Sequence, residues 1–130
     1  MGDEAANAEV VRRYIETVIN SGRVDLIDAY VAADYRGHGF NRTRDDLAAF
    51  MAWQSRTAPD WHIDIQDVVA AGDRVVVRAN ASGHTRELQP GVPSAELQLR
   101  RIEWIAIYRV ADALIAEAWV VSRDVDQFSP

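Results

Sequence analysis

"RRIEWIAIYRVADALIAEAW", residues 100–119, contains the clearest strand signal in the chain. Large apolar side chains recur at even positions in its first half, and successive residues of a strand point to opposite faces of a sheet. The short segment "VADAL" then separates this run from a second extended run, which predicts an antiparallel hairpin. Ala106 is a small residue in the even row that also contains Trp104 and Tyr108, so it marks either a packing accommodation or the loss of a chemical group.

Further extended runs precede this hairpin. From residue 61 onward, apolar residues alternate with polar ones, which indicates strands. The turn "AAGDR" is short enough for another antiparallel hairpin, whereas "ELQPGVPSA", with its two prolines, predicts a longer loop. Together these signals predict four strands, at about Trp61–Ala70, Arg74–Arg86, Ala95–Val110 and Leu114–Arg123.

The first half of the chain carries a helical pattern instead. Pairs of apolar residues recur one turn apart from Val10 to Ile19, and a Ser-Gly pair ends this first helix. "RVDLIDAYVA" predicts a short second helix that leads into the extended segment "DYRGHGF". Thr43, with Asp46 three residues later, forms a capping-box pattern, which predicts the start of a third helix that stops before Pro59.

Helices followed by long consecutive strands are typical of an α+β domain in which the helices cover one face of the sheet. The 130 residues predict a single domain, 1–130, that can bury a core without disulfides or metals. Strands this long in so small a domain predict a strongly curved, mainly antiparallel sheet, with a cone-shaped space beneath the helices. The inside of that cone is the predicted ligand site.

Composition excludes several classes of function. The absence of cysteine removes thiol nucleophiles and thiolate metal sites, and the absence of lysine removes Schiff-base chemistry. A net charge of −6 predicts that the protein does not bind nucleic acid. The acidic start "MGDEAANAEVV" lacks the features of a secretory signal, and no apolar run is long enough to span a bilayer, so we expect a cytoplasmic protein without a membrane partner.

Four segments, taken in order, carry a resemblance to a known family: "DYRGH", "TAPDWHIDIQDVVAAGDRVVVRANASGHT", "PGVPS" and "IYRVADALIAEAW". Over nearly its whole length the chain resembles the SnoaL-like polyketide cyclases of the nuclear transport factor 2-like superfold. The resemblance implies a homodimer of cone-shaped subunits, each with an acid/base site that uses no cofactor. The implied chemistry is proton abstraction beside a carbonyl group of a small-molecule substrate, as in a cyclase, an isomerase or a lyase.

The resemblance suggests catalytic roles for two residues. Tyr14 matches a helix tyrosine that ketosteroid isomerases use as an oxyanion donor, but the position also suits an inward aromatic residue of an amphipathic helix. His38 matches a position at the mouth of the cone, where it would act as the general base; the alternative is a loop histidine at the end of an edge strand. Both alternatives stay open at this point.

Two departures from the family pattern weaken an enzymatic interpretation. Gly39 stands where the isomerases carry their catalytic carboxylate, and Ala106 stands where the cyclases place an aspartate directly before "IYR". The chain is therefore predicted to be a cyclase or isomerase acting on a hydrophobic, oxygenated metabolite such as a polyketide, or else a non-catalytic ligand-binding or dimerisation module. No metal site is expected, because His38, His62 and His84 lack the spacing of a zinc motif.

An aromatic wall is predicted on one side of the cavity. Trp53, Trp104 and Tyr108 would form it, unless these residues simply fill the core. Ala106 belongs to the same predicted site, because a small side chain there would leave room for a large ligand.

Polar residues of two strands are further candidates for contacting the substrate. The strand "RVVVRANASGHT" has a polar row and an apolar row, and the sequence leaves open which of them faces the cavity. If the polar row faces inward, Asn80 and His84 position the substrate. Glu117, at a position that is usually acidic in the family, completes the predicted site.

Overall fold

The computed structural model describes residues 2–125, which form helices followed by long strands, as predicted for an α+β domain. The elements are, in chain order, α1 (Gly2–Arg13), its π-helical continuation (Tyr14–Asn20), a 3-10 helix (Val24–Ala29), β1 (Val31–His38), α2 (Arg44–Thr57), β2 (His62–Ala71), β3 (Arg74–Gln89), β4 (Val92–Ala111) and β5 (Leu114–Asp124). The four predicted strands are confirmed as β2 to β5. None of the helices in residues 2–125 is long and apolar enough to cross a membrane.

The strands of residues 2–125 form one mixed sheet in the order β1–β5–β4–β3–β2. β1 lies parallel to β5 at one edge, and the other neighbouring pairs are antiparallel. The predicted hairpin at "VADAL" is confirmed as a two-residue turn between β4 and β5. Asp112 and Ala113 have φ values of 53° and 62°, and this turn type needs positive φ at both central residues.

The loop predicted at "ELQPGVPSA" is much shorter in the structure, which corrects that prediction. β3 continues to Gln89 and β4 begins at Val92, so only Pro90 and Gly91 separate the two strands. Neither proline prevents pairing, because Pro90 occupies the turn and Pro93 lies where the register shifts. The β3–β4 hairpin is therefore continuous up to its tip.

The second helix is also shorter than predicted. It is a 3-10 helix, and Val31, which was predicted to be helical, already belongs to β1. The N–H of Ile115 donates to the carbonyl of Tyr30 at 2.8 Å, so the chain joins β5 as soon as the helix ends. Pairing with β5 thus overrides the weak local helical preference.

The two rows of β3 face opposite sides of the sheet. Val75, Val77, Ala79 and Ala81 are buried against the helices, whereas the polar row is exposed. The buried side is termed the inner face and the opposite side the outer face. The question that the sequence left open is therefore answered: the apolar row faces inward, since burying polar side chains without partners costs free energy.

The first helix is tied to the inner face through both apolar and polar contacts. Val11, Ile15 and Val18 are completely buried in the core. At the end of the helix, the Asn20 side chain accepts a hydrogen bond from the N–H of Ile63 at 2.7 Å and donates one to its carbonyl at 2.9 Å. These contacts hold the helix over β2.

The predicted capping box of α2 is confirmed. The Thr43 hydroxyl accepts from the N–H of Asp46, and the Asp46 carboxylate accepts from the N–H of Thr43. The helix then ends at Thr57, before Pro59 as predicted.

The first helix changes from α to π geometry at Tyr14. The bond from the N–H of Ser21 to the carbonyl of Glu16, 3.0 Å long, spans five residues, as π geometry requires. A π turn brings side chains five residues apart to the same side of the helix. Tyr14 and Ile19 therefore both face the cavity that lies beneath this helix.

Candidate functional site

A cavity of about 380 Å³ lies between the helices and the inner face of the sheet. Residues of the first helix, α2, β1, β4 and β5 contribute to its lining. The volume falls within the range of pockets that bind small molecules, roughly 300–1,000 Å³. Most of the lining is apolar or aromatic, which suits a hydrophobic ligand.

Three tyrosines, Tyr14, Tyr35 and Tyr108, line the cavity. The rings of Tyr14 and Tyr108 meet edge to face, with centroids 6.1 Å apart. Burial raises the pKa of Tyr35 to about 12, and burial together with the neighbouring phenols raises the pKa values of Tyr14 and Tyr108 above their usual range. At neutral pH all three phenols are protonated and can donate hydrogen bonds.

The three phenols have no hydrogen-bond partner among residues 2–125. In the same residues, no polar side-chain atom that is fully shielded lacks a partner, so each of the three phenol oxygens keeps some accessible surface. Donors in this state are free to bind an oxygen atom of a ligand. Tyr14 is thus one of three protonated donors that line the cavity.

The predicted aromatic wall residues Trp53, Trp104 and Tyr108 all line this cavity. The ring of Phe50 extends the wall, with its centroid 5.6 Å from that of Trp53 and 5.8 Å from that of Phe40. Phe40 is half exposed, so this end of the wall is the mouth of the cavity. A flat ligand entering here would meet aromatic surface along its length.

Ala106 does not contact the cavity, which corrects its assignment as a substrate contact. It has no exposed surface, and it lies opposite Val77 on one neighbouring strand and Val120 on the other. Trp104 and Tyr108, two residues away on either side, line the cavity in its place. The small side chain is a packing accommodation between larger neighbours.

His38 lies on the outer face, which corrects the prediction that it reaches the inside of the cone. It is the last residue of β1 and pairs in parallel with Trp119, with the two rings stacked at a centroid distance of 4.9 Å. Its Nε2 is 2.6 Å from Oε2 of Glu117. Val120 and Ser122 of β5 line the cavity. Because successive residues of a strand point to opposite faces, the odd-numbered residues 117 and 119 point to the outer face.

Glu117 is the centre of a charged cluster on the outer face, so its assignment as a substrate contact is also corrected. Its Oε1 accepts a hydrogen bond from Nε of Arg109 at 3.0 Å. The hydrogen bonds from His38 and then Arg109 lower the pKa of Glu117. The guanidinium of Arg74 lies 4.9 Å from the ring centroid of Trp119. These contacts complete the pairing of this carboxylate within the protein.

Asn80 and His84 belong to the exposed row of β3 and do not line the cavity, so the role proposed for them in positioning substrate is corrected. Nδ1 of His84 is 2.7 Å from Oδ2 of Asp60, and the backbone N–H of His84 donates to Oδ1 of Asp60, also at 2.7 Å. These bonds from His84 lower the pKa of Asp60. The pair fastens the segment before β2 to β3.

The tip of the β3–β4 hairpin closes one side of the cavity, a contact that the sequence did not predict. Pro90 lines the cavity, and Oε1 of Glu87 accepts hydrogen bonds from Nε1 of Trp53 at 2.9 Å and from the N–H of Gly91 at 2.7 Å. The bond from Trp53 and then that from Gly91 lower the pKa of Glu87. The adjacent Pro-Gly pair was a signal for this tight turn, but the second proline suggested a longer loop.

The cavity is rich in hydrogen-bond donors and poor in bases. Among residues 2–125, its lining includes no carboxylate and no histidine. In the same part of the chain, no group of three acidic or histidine side chains is placed to hold a metal ion. The arrangement can polarise a carbonyl group of a ligand, but a proton acceptor must come from elsewhere.

A model of the SnoaL-like polyketide cyclase family matches residues 8–128. TsrD from Streptomyces laurentii has a TM-score of 0.78 and 22% identity, covering 91% of this chain and 88% of that chain. IdmH from Streptomyces antibioticus has a TM-score of 0.75 and 23% identity, covering 89% of this chain and 91% of that chain.

A third structure, a SnoaL-like polyketide cyclase from Agrobacterium tumefaciens, has a TM-score of 0.76 and 14% identity, covering 90% of this chain and 91% of that chain. These structures confirm the fold class expected from the resemblance. A search of curated protein sequences finds no match. Because the family model spans nearly the whole chain, the protein belongs to the SnoaL-like polyketide cyclase family.

Proposed function

We propose that this protein is an enzyme that binds a hydrophobic, oxygenated metabolite of the polyketide class and catalyses its cyclisation or isomerisation without a cofactor. The observation that carries the proposal is the group of protonated phenols, Tyr14, Tyr35 and Tyr108, whose side chains line the cavity and whose oxygens have no hydrogen-bond partner among residues 2–125. Family membership supports this reaction class.

In this proposal the phenols stabilise negative charge that develops on a carbonyl oxygen of the substrate. Hydrogen-bond donors that are already in place act strongly in a cavity shielded from water. Tyr14 and Tyr108, whose rings are in contact, are assigned to the reacting carbonyl, and Tyr35 to orienting a second oxygen. The apolar wall holds the carbon skeleton in a folded conformation.

A ring closure of this type needs no reagent other than the substrate. The enol carbon of a 1,3-dicarbonyl unit attacks a second carbonyl carbon, and a carbon–carbon bond forms. The attacked oxygen takes up a proton while the enol oxygen releases one, so protons balance. Because a methylene between two carbonyls forms its enol readily, the substrate's own carbonyl oxygen can accept the proton that His38 was expected to remove.

A non-catalytic ligand-binding module is the second candidate. The observation that favours it is the lack of any carboxylate or histidine among the described lining residues, together with the buried Ala106 at the family's aspartate position. Such a protein would hold the same class of ligand and release it unchanged.

The resemblance also implies a homodimer, and we propose that the outer face forms its contact. Val69, Ile105 and Val121 are exposed there by 61%, 48% and 76%. Light scattering coupled to size exclusion should report a dimer, and Val121→Arg should shift it to a monomer. A monomeric wild-type protein would contradict this assignment.

Turnover of partly cyclised and linear 1,3-diketone substrates distinguishes the two candidate functions. Cyclisation and isomerisation preserve mass, so chromatographic retention is followed alongside native mass spectrometry. Tyr14→Phe should lower turnover by roughly 100-fold, the usual effect of removing one oxyanion donor. Tyr30→Phe, outside the cavity lining, is the matched control. Bound diketone recovered unchanged supports the binding module, and equal turnover by Tyr14→Phe contradicts the assigned donor.

A further inference from the structure

Arg100 is the only charged side chain among the described residues that line the cavity. It lies on β4 in the same alternating row as Ile102, Trp104 and Tyr108, and neighbours in such a row are about 6.6 Å apart. The inner side of β4 therefore leads from a cation, across apolar and indole surface, to a phenol. A ligand lying along this strand meets these chemical groups in that order.

The guanidinium of Arg100 has hydrogen-bond donors that residues 2–125 leave unused. Its Nε is 3.4 Å from Oδ1 of Asp124, whereas a charge-assisted bond usually measures about 2.7–2.9 Å. Its terminal amino groups have no partner among residues 2–125, and the side chain is 32% exposed. Arginine presents such donors in a planar fork that matches the two oxygens of a carboxylate.

We infer that the ligand of this cavity is a hydrophobic acid, with a carboxylate at one end and a carbonyl or hydroxyl oxygen at the other. This inference rests on the proposed function and adds the class of substrate. The carboxylate binds the terminal amino groups of Arg100, the flat body contacts Trp104, and the far oxygen points along the strand toward the phenol end of the row.

The sign of the charge in the cavity differs from that of the chain as a whole. The chain carries a net charge of −6, yet the lone charged residue of the described lining is positive. An anion that leaves water needs a partner of opposite charge, and Arg100 supplies one. The hydrogen bond from Arg100 to Asp124 runs from Nε and is long, so a ligand carboxylate can join the guanidinium at its terminal amino groups without displacing Asp124.

Anthraquinone-2-carboxylic acid and its methyl ester are a suitable pair of probes. Both are flat and carry the same ring carbonyls, but only the acid is charged at neutral pH. Calorimetric titration of the wild-type protein should show the acid binding about tenfold or more tightly than the ester. Arg100→Gln should weaken binding of the acid by about the same factor and change the affinity for the ester by less than about twofold.

Two variants control for the fold and for charge in general. Arg101→Gln alters the next residue, which is exposed on the outer face, and should leave binding of both probes unchanged. Arg100→Lys keeps the positive charge without the fork, so it should restore part of the preference for the acid. Raising the salt concentration should narrow the difference between acid and ester in the wild type.

The outcomes separate this inference from the proposed function. Equal affinity of the wild type for acid and ester contradicts recognition of an acid, and so does an equal loss of affinity for both probes in Arg100→Gln. Either result leaves a hydrophobic binding cavity in place. Loss of the preference in Arg101→Gln also contradicts it, because the charge would then act from the outer face. Binding of neither probe to the wild type contradicts both the cavity as a binding site and the inference.

Discussion

Polar side chains on the two faces of the sheet differ in whether they have a hydrogen-bond partner. On the outer face, His38 is paired with Glu117 at 2.6 Å and His84 with Asp60 at 2.7 Å. On the inner side, the phenol of Tyr14 and the other cavity tyrosines have no partner in residues 2–125. The histidines that a sequence search for acid/base residues picks out are thus paired on the outer face, whereas phenols without a partner among residues 2–125 line the cavity.

The largest effect should come from a charge placed on the inner face. Ala79 has no exposed surface, so Ala79→Asp buries an unpaired carboxylate and should lower the free energy of unfolding by roughly 3–5 kcal/mol. Ser82→Asp, on the exposed row of the same strand, should change it by less than about 1 kcal/mol. Urea unfolding of both variants measures the difference, and similar losses would refute the assignment of rows to faces.

The end of β1, where Gly37 lies, should be the next most sensitive part of the sheet. A Cβ added at Gly37 would lie 2.1 Å from the carbonyl oxygen of Asn41, so the turn that carries Phe40 to the cavity mouth must shift. Gly37→Ala should cost roughly 1–3 kcal/mol in urea unfolding. Gly91→Ala is the control, since no atom lies within 4 Å and only its φ of +79° opposes the change. Its cost should be about 1 kcal/mol.

The inner face should lose stability at alkaline pH. Folding raises the pKa values of the three cavity tyrosines, so their contribution is fully present below the unfolded value, near 10, and is lost as the pH rises through the folded values, which include about 12 for Tyr35. Absorbance of phenolate during titration, with urea unfolding at about pH 9 and 11, checks this. Tyr35→Phe should remove the transition near pH 12. Ionisation of all tyrosines at one ordinary pH would contradict their burial.

The charged cluster of the outer face should change the stability of the protein at acidic pH instead, and this change should be smaller. Folding lowers the pKa of Glu117 from 4.5, so its contribution is present above that value and is lost as the pH falls through the folded pKa. Glu117→Gln should flatten the dependence of stability on pH in this range. The control is Glu9→Gln, whose carboxylate pairs with Arg13 on an exposed helix surface. An equal change in both variants would mean that the outer cluster contributes no more to the pH dependence of stability than an exposed ion pair does.

The smallest effect is expected at the contact between the β3–β4 hairpin and α2. Glu87→Gln replaces the charged acceptor of the Trp53 indole N–H, and hydrogen exchange in the hairpin should then become about fivefold faster. Glu96→Gln, an exposed residue in the same hairpin, should leave the exchange unchanged. Exchange that is unaffected by Glu87→Gln would show that the hairpin is held by packing alone.

Local patterns accounted for much of the fold. The alternation around Trp104 predicted the β4–β5 hairpin, and the Thr43–Asp46 pattern predicted the first turn of α2, because both depend on neighbours in sequence. The site was less accessible to such reasoning. The register of β1 against β5 shifts between Val31 and Arg36, so the face to which His38 points cannot be read from the alternation of residues before it.

The sequence alone specified which side chains share a row, because the alternation of a strand is a local property of the backbone. Only the tertiary structure specified which row meets the helices and which polar atoms lack a partner, because burial and hydrogen bonding depend on residues distant in the chain. Ala106 illustrates both: its place beside Trp104 and Tyr108 follows from the alternation, whereas its burial between Val77 and Val120 follows from strand pairing. The donors of Arg100 and Tyr14 that have no partner among residues 2–125 belong to the second kind of information.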